Sequence, residues 1–267
     1  MPELPDVEGF RRVVADHAAQ QRIEQVRVHD PRVVRRGTAS ELEELLRGRR
    51  MGRPRRFGKW LVLPVVDEAD TDESTPCVLV HFGMTGMLVW CRFDEQAHPH
   101  DRAVVTFEHG ELRYRDMRKL KGLHPLRRES DLATVLGELG PDAAEVSPAR
   151  FHECLARGRR GIKSALMEQS VLAGLGNLCV DEILWGARVH PRCRTTDLDD
   201  ARLRDVHASM RSVLRQAVRV ERVPDRPSWL TGHRDEPGGR CPRCDDRLER
   251  GKIAGRGTVW CPGCQRE

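Results

Sequence analysis

At 267 residues the chain is long enough for two domains, or for one with a small appendage, and its net charge of +5 is only mildly basic. No stretch approaches the roughly 20 apolar residues that span a bilayer, and no basic segment followed by an apolar run opens the chain, so a soluble cytoplasmic protein with no membrane partner is expected. Aromatic residues make up 4% of the chain, too few for the stacking platform of a single-strand-binding protein.

The opening MPELPDVE has two readings. Pro-Glu-Leu-Pro is a stiff, polar lead-in to a helix, or loss of Met1 leaves Pro2 with a free secondary amine that can act as a nucleophile. Residues 2–20 are expected to be helical, with Val7, Phe10, Val13 and Val14 on one face. Residues 22–115 read as strands: IEQVRVHD alternates, KWLVLPVV and PCVLVHFGM are short apolar runs, and RAVVTFEHGELRYRD reads as a hairpin about His109-Gly110. The acidic DEADTDESTP (67–76) is expected to be an exposed loop. From about residue 130 the pattern turns helical, through DLATVLGELG, PARFHECLARG, IKSALMEQSVLAG, NLCVDEILWGARV and an amphipathic stretch from Asp199 to Val218. A Pro- and Gly-rich linker follows, then a cysteine-bearing tail. No internal repeat or low-complexity tract interrupts this order.

The cations are clustered. RGRRMGRPRRFGK (47–59) holds seven and no acid, RGRRGIK (157–163) holds four, and the last 28 residues hold seven against four acids. One such run is ordinarily a solvated face; three separated runs favour a polyanion partner. Cys77, Cys91, Cys154, Cys179 and Cys193 are scattered and read as small buried hydrophobes. CPRC (241–244) and CPGC (261–264) differ: two Cys-x-x-Cys pairs separated by 16 residues have the spacing of a zinc ribbon, in which Cys241, Cys244, Cys261 and Cys264 fill all four positions around one structural Zn2+. Two disulfides or a redox pair are the other readings. Between the pairs, RLERGKIAGRGTVW reads as two short strands joined through Ile-Ala-Gly.

MPELPDVE, FGKWLVL (57–63), HFGMTG (81–86), GLGNLCVDEILW (174–185) and the terminal ribbon, in this order, resemble the formamidopyrimidine-DNA glycosylase and endonuclease VIII family over nearly the whole chain. The resemblance implies an α+β multidomain fold: an N-terminal catalytic β-sandwich with a flanking helix (1–130), a helical helix–two-turn–helix DNA-binding domain (131–225) and a C-terminal zinc finger (226–267). It also implies a bifunctional DNA glycosylase and apurinic/apyrimidinic lyase of base-excision repair. Damaged DNA is the expected partner, no small-molecule cofactor is expected, and nothing in the sequence demands more than a monomer.

An α-amino group titrates near 7.7–8.0 against about 10.4 for lysine, so part of it is unprotonated at neutral pH. By resemblance Pro2 is the nucleophile, Glu3 the acid or base beside it, and Lys59 and Arg256 assist through the phosphate backbone. Without the resemblance, Glu3 reads as a first-turn helix acid and Lys59 as a solvated lysine. The DNA-contact positions of the family fall on Met84, His100, Arg118, Leu120, Lys163 and Asn177, with Met84 and Arg118 among the side chains that fill the gap left by an extruded nucleotide. Met84 also reads as a core methionine, and GLGN as a simple joint between helices.

Three departures bear on substrate. The formamidopyrimidine branch reads Asp-Pro-Arg-Arg-Phe-Gly where this chain has DMRKLK (116–121), so an aromatic wedge has become Leu120. The span from the long helix to Cys241 is shorter, leaving little room for a loop over 8-oxoguanine, and Cys179 replaces a tyrosine. A paralogue with altered lesion choice is expected. The rival reading is a damage- or structure-specific DNA-binding paralogue with weak or no catalysis, against which the presence of Pro2, Glu3 and Lys59 argues. A zinc-ribbon transcription module leaves the N-terminus unexplained.

Overall fold

A computed structural model describes residues 1–67, 75–156 and 158–266. Most of the acidic 67–76 stretch, and Arg157 of the second cationic cluster, lie outside the described residues. The chain forms two compact units: residues 1–2 with 7–138, and residues 3–6 with 139–267.

The first helix, α1 (Leu4–His17), is amphipathic as expected. Val7 and Val14 are buried and Phe10 and Val13 lean on the same core. There follow β1 (Gln25–Val28), α2 (Ala39–Leu46), β2 (Arg50–Met51), β3 (Arg55–Phe57), β4 (Trp60–Val66) and β5 (Cys77–His81). Next come β6 (Met87–Cys91), β7 (Asp101–Phe107), β8 (Gly110–Arg115), β9 (Gly122–Leu126) and the short α3 (Leu132–Leu136). One antiparallel sheet has the order β1-β7-β8-β6; the other runs β2-β4-β5-β9, with β3 also on β4. Because side chains alternate along a strand, the facing sides contribute Leu61, Leu63, Val78 and Val80 from one sheet and Leu88, Ala103, Leu112 and Tyr114 from the other to a single core. This is a β-sandwich with a flanking helix. The expected hairpin is present, with Phe107 opposite Gly110 so that Glu108-His109 make the turn.

Helix α2 falls inside the stretch read as strands. Thr38 accepts from the Glu41 N–H while the Glu41 carboxylate accepts from the Thr38 N–H, a capping box that starts a helix whose Leu42, Leu45 and Leu46 are buried at helical spacing.

The second unit carries α4 (Pro148–Ala156), α5 (Ile162–Met167), α6 (Asn177–Gly186) and α7 (Asp200–Arg219), then a hairpin of β10 (Glu249–Ile253) and β11 (Arg256–Trp260). The helices share one core, including Leu166, Leu175, Val180, Ile183, Val206 and Met210. Asp199 caps α7 by accepting from the Arg202 N–H. IKSALMEQSVLAG is helical only to Met167. Beyond it Gln169 shapes the chain, its amide donating to the Met167 and Leu175 carbonyls and its oxygen accepting from the Gly174 N–H. Two turns thus join α5 to α6, giving the helix–two-turn–helix arrangement. In the ribbon Ala254 and Gly255 both have positive φ (52° and 72°), the geometry a tight two-residue hairpin needs.

Candidate functional site

Glu3 is 2% exposed, and its carboxylate occupies the N-terminus of α6. Oε2 accepts from the N–H groups of Gly176 (2.9 Å) and Cys179 (3.0 Å), and Oε1 from that of Leu178 (2.8 Å). These are donors that the first turn of a helix leaves unmatched, and they sit at the positive end of its dipole. GLG (174–176) makes the space: a Cβ on Gly176 would lie 2.3 Å from Glu3 Cδ, and one on Gly174 2.6 Å from Leu4 Cδ1. The Leu4 N–H closes the arrangement on the Gly174 carbonyl at 3.0 Å. The glycines therefore admit residues 3 and 4. Asp6, not singled out in the sequence, accepts from the Glu3 N–H at 2.8 Å. Its carboxyl is raised by burial, against the opposing effect of that hydrogen bond. An acid at the third helical position is the signal that would have found it.

Lys163 requires a correction. The resemblance puts it on DNA, but it is wholly buried, and its ammonium is used by Asp181 Oδ1 (2.5 Å) and Thr258 Oγ1 (2.7 Å). A lysine without exposed surface has nothing to offer a phosphate. It ties α5 and α6 to the ribbon instead. Asp181 also pairs with Arg234, which donates to the Gly257 carbonyl at 2.5 Å. Asn177 donates to that same carbonyl at 2.9 Å. The network thus joins Asn177, at the head of α6, to the hairpin on which Arg256 stands exposed.

Within the first unit, Lys59 is half-buried in the Gly58-Lys59 turn that closes β3 and β4. Met84, Arg118 and Leu120 are exposed, so Met84 is not a core residue. They lie on two turns, Phe82–Gly86 between β5 and β6 and Asp116–Lys121 between β8 and β9. His100 is half-buried, its Nδ1 2.9 Å from Arg102 and its carbonyl accepting from the Asp116 N–H at 2.9 Å. His81, which sequence reasoning passed over inside HFGMTG, accepts at Nδ1 from the Gly83 N–H (3.0 Å). Burial first, then Lys121 and Lys59, push its imidazole down to about 4, so it is neutral at physiological pH.

Cys241, Cys244, Cys261 and Cys264 have their sulfurs within 4.8 Å of one another, with pairs at 3.4, 3.5 and 3.8 Å. A tetrahedron with metal–sulfur bonds of about 2.3 Å has edges of about 3.8 Å, so the four thiols fit one ion. The N–H groups of Arg243 and Cys264 and the Trp185 indole donate to these sulfurs at 3.4–3.5 Å. Burial would raise the Cys241 thiol, but the donors from Arg243 and Trp185 bring it down to about 7. Arg243 stacks over Trp185 at 4.2 Å.

Residues 1–123 match the family model of the formamidopyrimidine-DNA glycosylase N-terminal domain, and residues 139–225 that of its H2TH domain. A formamidopyrimidine-DNA glycosylase of Acidothermus cellulolyticus is 32% identical over 99% of this chain and 97% of its own length. One of Streptomyces avermitilis is 34% identical over 100% and 98%. The Lactococcus lactis enzyme, in complex with DNA containing an abasic site, superposes with a TM-score of 0.88 at 28% identity, covering 99% of this chain and 100% of that one. A β-sandwich, a helix–two-turn–helix and a four-cysteine ribbon define a DNA-glycosylase architecture. The chain belongs to the formamidopyrimidine-DNA glycosylase and endonuclease VIII family.

Proposed function

We propose that this protein is a bifunctional DNA glycosylase and abasic-site lyase of base-excision repair that removes oxidised bases. The observation that carries this reading is the seat of Glu3: a carboxylate that is the chain neighbour of Pro2 is held at a helix N-terminus by the N–H groups of Gly176, Leu178 and Cys179. A first-turn acid serving only its own helix would stay on α1, whereas this one reaches a helix more than 170 residues away in sequence.

With Met1 removed, the Pro2 nitrogen forms a bond to the sugar carbon bearing the damaged base. The bond to the base breaks, and the base leaves with a proton taken from solvent. The Glu3 carboxylate takes the proton that the Pro2 nitrogen sheds on forming this bond and passes it to the ring oxygen, opening the sugar to an iminium, and then relays protons as the acid or base of the site. The iminium acidifies the adjacent carbon, and loss of that proton expels the 3′ phosphate and cleaves the strand. Lys59, Asn177 and Arg256 contact phosphates, and Met84, Arg118 and Leu120 enter the duplex where the base has left. One zinc ion held by Cys241, Cys244, Cys261 and Cys264 fixes the ribbon and takes no part in the chemistry.

Borohydride reduction on DNA containing an abasic site tests the reading. Wild type should become covalently fixed to the DNA and Pro2→Gly should not. Equal fixation of both, or none with wild type, overturns it, and binding without fixation supports the DNA-binding paralogue instead.

A further inference from the structure

The turns at 82–86 and 116–121 are built as one piece. Asp116, the first residue of the second turn, is 1% exposed. Its Oδ1 accepts from the Thr85 hydroxyl (2.5 Å) and from the Arg118 N–H (3.0 Å), and its Oδ2 from the Tyr114 hydroxyl (3.3 Å). Thr85 Oγ1 in turn accepts from the Arg118 N–H (3.0 Å), closing a ring of three bonds. The backbone of Asp116 is pinned as well: its N–H donates to the His100 carbonyl and its carbonyl accepts from Arg102 Nε (2.8 Å). Farther along the same turn, Lys119 has a φ of 52° and its carbonyl accepts from Arg35 at 2.7 Å. The turns also touch directly, since a Cβ on Gly83 would lie 3.6 Å from Leu120 Cβ.

This buried base carries apolar tips that face solvent: Met84 is 41%, Met117 54% and Leu120 49% exposed, with the cations Arg118 and Lys121 among them. Exposed apolar side chains flanked by cations, on a rigid support, are the equipment for entering an opened base step while gripping phosphates. We infer that Asp116 and Thr85 are positioning residues that weld these turns into a single wedge, so that Met84, on one turn, and Arg118, on the other, respond jointly to the base opposite the lesion. The inference rests on the proposed DNA-repair reading.

Duplexes with a non-cleavable abasic analogue opposite each of the four bases test it, by comparing the affinities of Met84→Ala, Arg118→Ala and the double variant. In wild-type background the two substitutions should be non-additive by at least about twofold, as for groups sharing one network. In a Thr85→Val background, which removes the hydroxyl at nearly constant shape, they should become additive and the spread among opposite bases should narrow. Asp116→Asn should act in the same direction, and circular dichroism checks that both variants fold. Coupling unchanged by Thr85→Val, or additivity already in wild type, overturns the weld alone. Wild type that does not bind these duplexes overturns the repair reading along with it.

Discussion

Two buried carboxylates anchor the two regions to which the proposed function assigns the work on DNA, and they are held differently. Glu3 is held by backbone N–H groups of α6; Asp116 is held largely by the hydroxyls of Thr85 and Tyr114. Backbone donors survive every substitution except one that moves the backbone, whereas a hydroxyl is lost in one step. Under the proposed function, the chemistry is therefore seated on donors that no side-chain substitution removes, and the wedge on hydroxyls that one substitution can remove. Asp181 and Glu182, adjacent on α6, complete the comparison. The first is matched by the cations Lys163 and Arg234, while the second accepts from the N–H and hydroxyl of Thr231.

The largest effect is expected where charge holds charge. Lys163→Ala should destabilise the second unit by about 3–5 kcal/mol, because it breaks a buried pair and leaves Asp181 to Arg234 and the Val259 N–H. Lys163→Met, which keeps the volume, should cost less than Lys163→Ala. Denaturant unfolding measures both, and a loss under about 1 kcal/mol for Lys163→Ala would mean that the pair does not hold the ribbon.

Gly176→Ala tests the backbone seat. The added Cβ collides with Glu3 Cδ, so the carboxylate must move, and a shift on the order of 1 Å costs about 100-fold in rate. Single-turnover base excision should fall by that factor while affinity for abasic DNA changes little. Unaltered excision would show that the position of Glu3 is not what the glycines protect.

The smallest effect is a pH dependence. Burial raises the Glu182 carboxyl, against the hydrogen bonds from Thr231, from an ordinary 4.5 to about 6. The folded state therefore holds this proton more tightly than the unfolded chain does. The resulting stability is full below about pH 4.5 and is lost as pH rises through about 6, amounting to about 2 kcal/mol. Compared with wild type, Glu182→Gln should have a flatter stability profile between those values. Parallel profiles would place the titration elsewhere.

Much of this was legible in the sequence because it is local. Helical spacing gave α1 and α7, short apolar runs gave β4 and β5, and two Cys-x-x-Cys pairs gave a cluster able to hold a metal. Thr38-x-x-Glu41 was equally local, yet α2 went unread among strand-like neighbours. What could not be read depends on long-range partners. The depth of Lys163 is set by Asp181 and Thr258, 18 and 95 residues away. The end of α5 is set by the Gln169 side chain, and the need for Gly176 by a carboxylate from the other end of the chain.

In the proposed function, chemistry begins at Pro2, seated by its neighbour Glu3. Peptide mapping by mass spectrometry of the borohydride-fixed protein–DNA adduct tests it most directly. The adduct should be a chain lacking Met1 with the sugar remnant on the nitrogen of Pro2. A remnant on Lys59 or any other lysine, or an adduct on a chain that retains Met1, would contradict it.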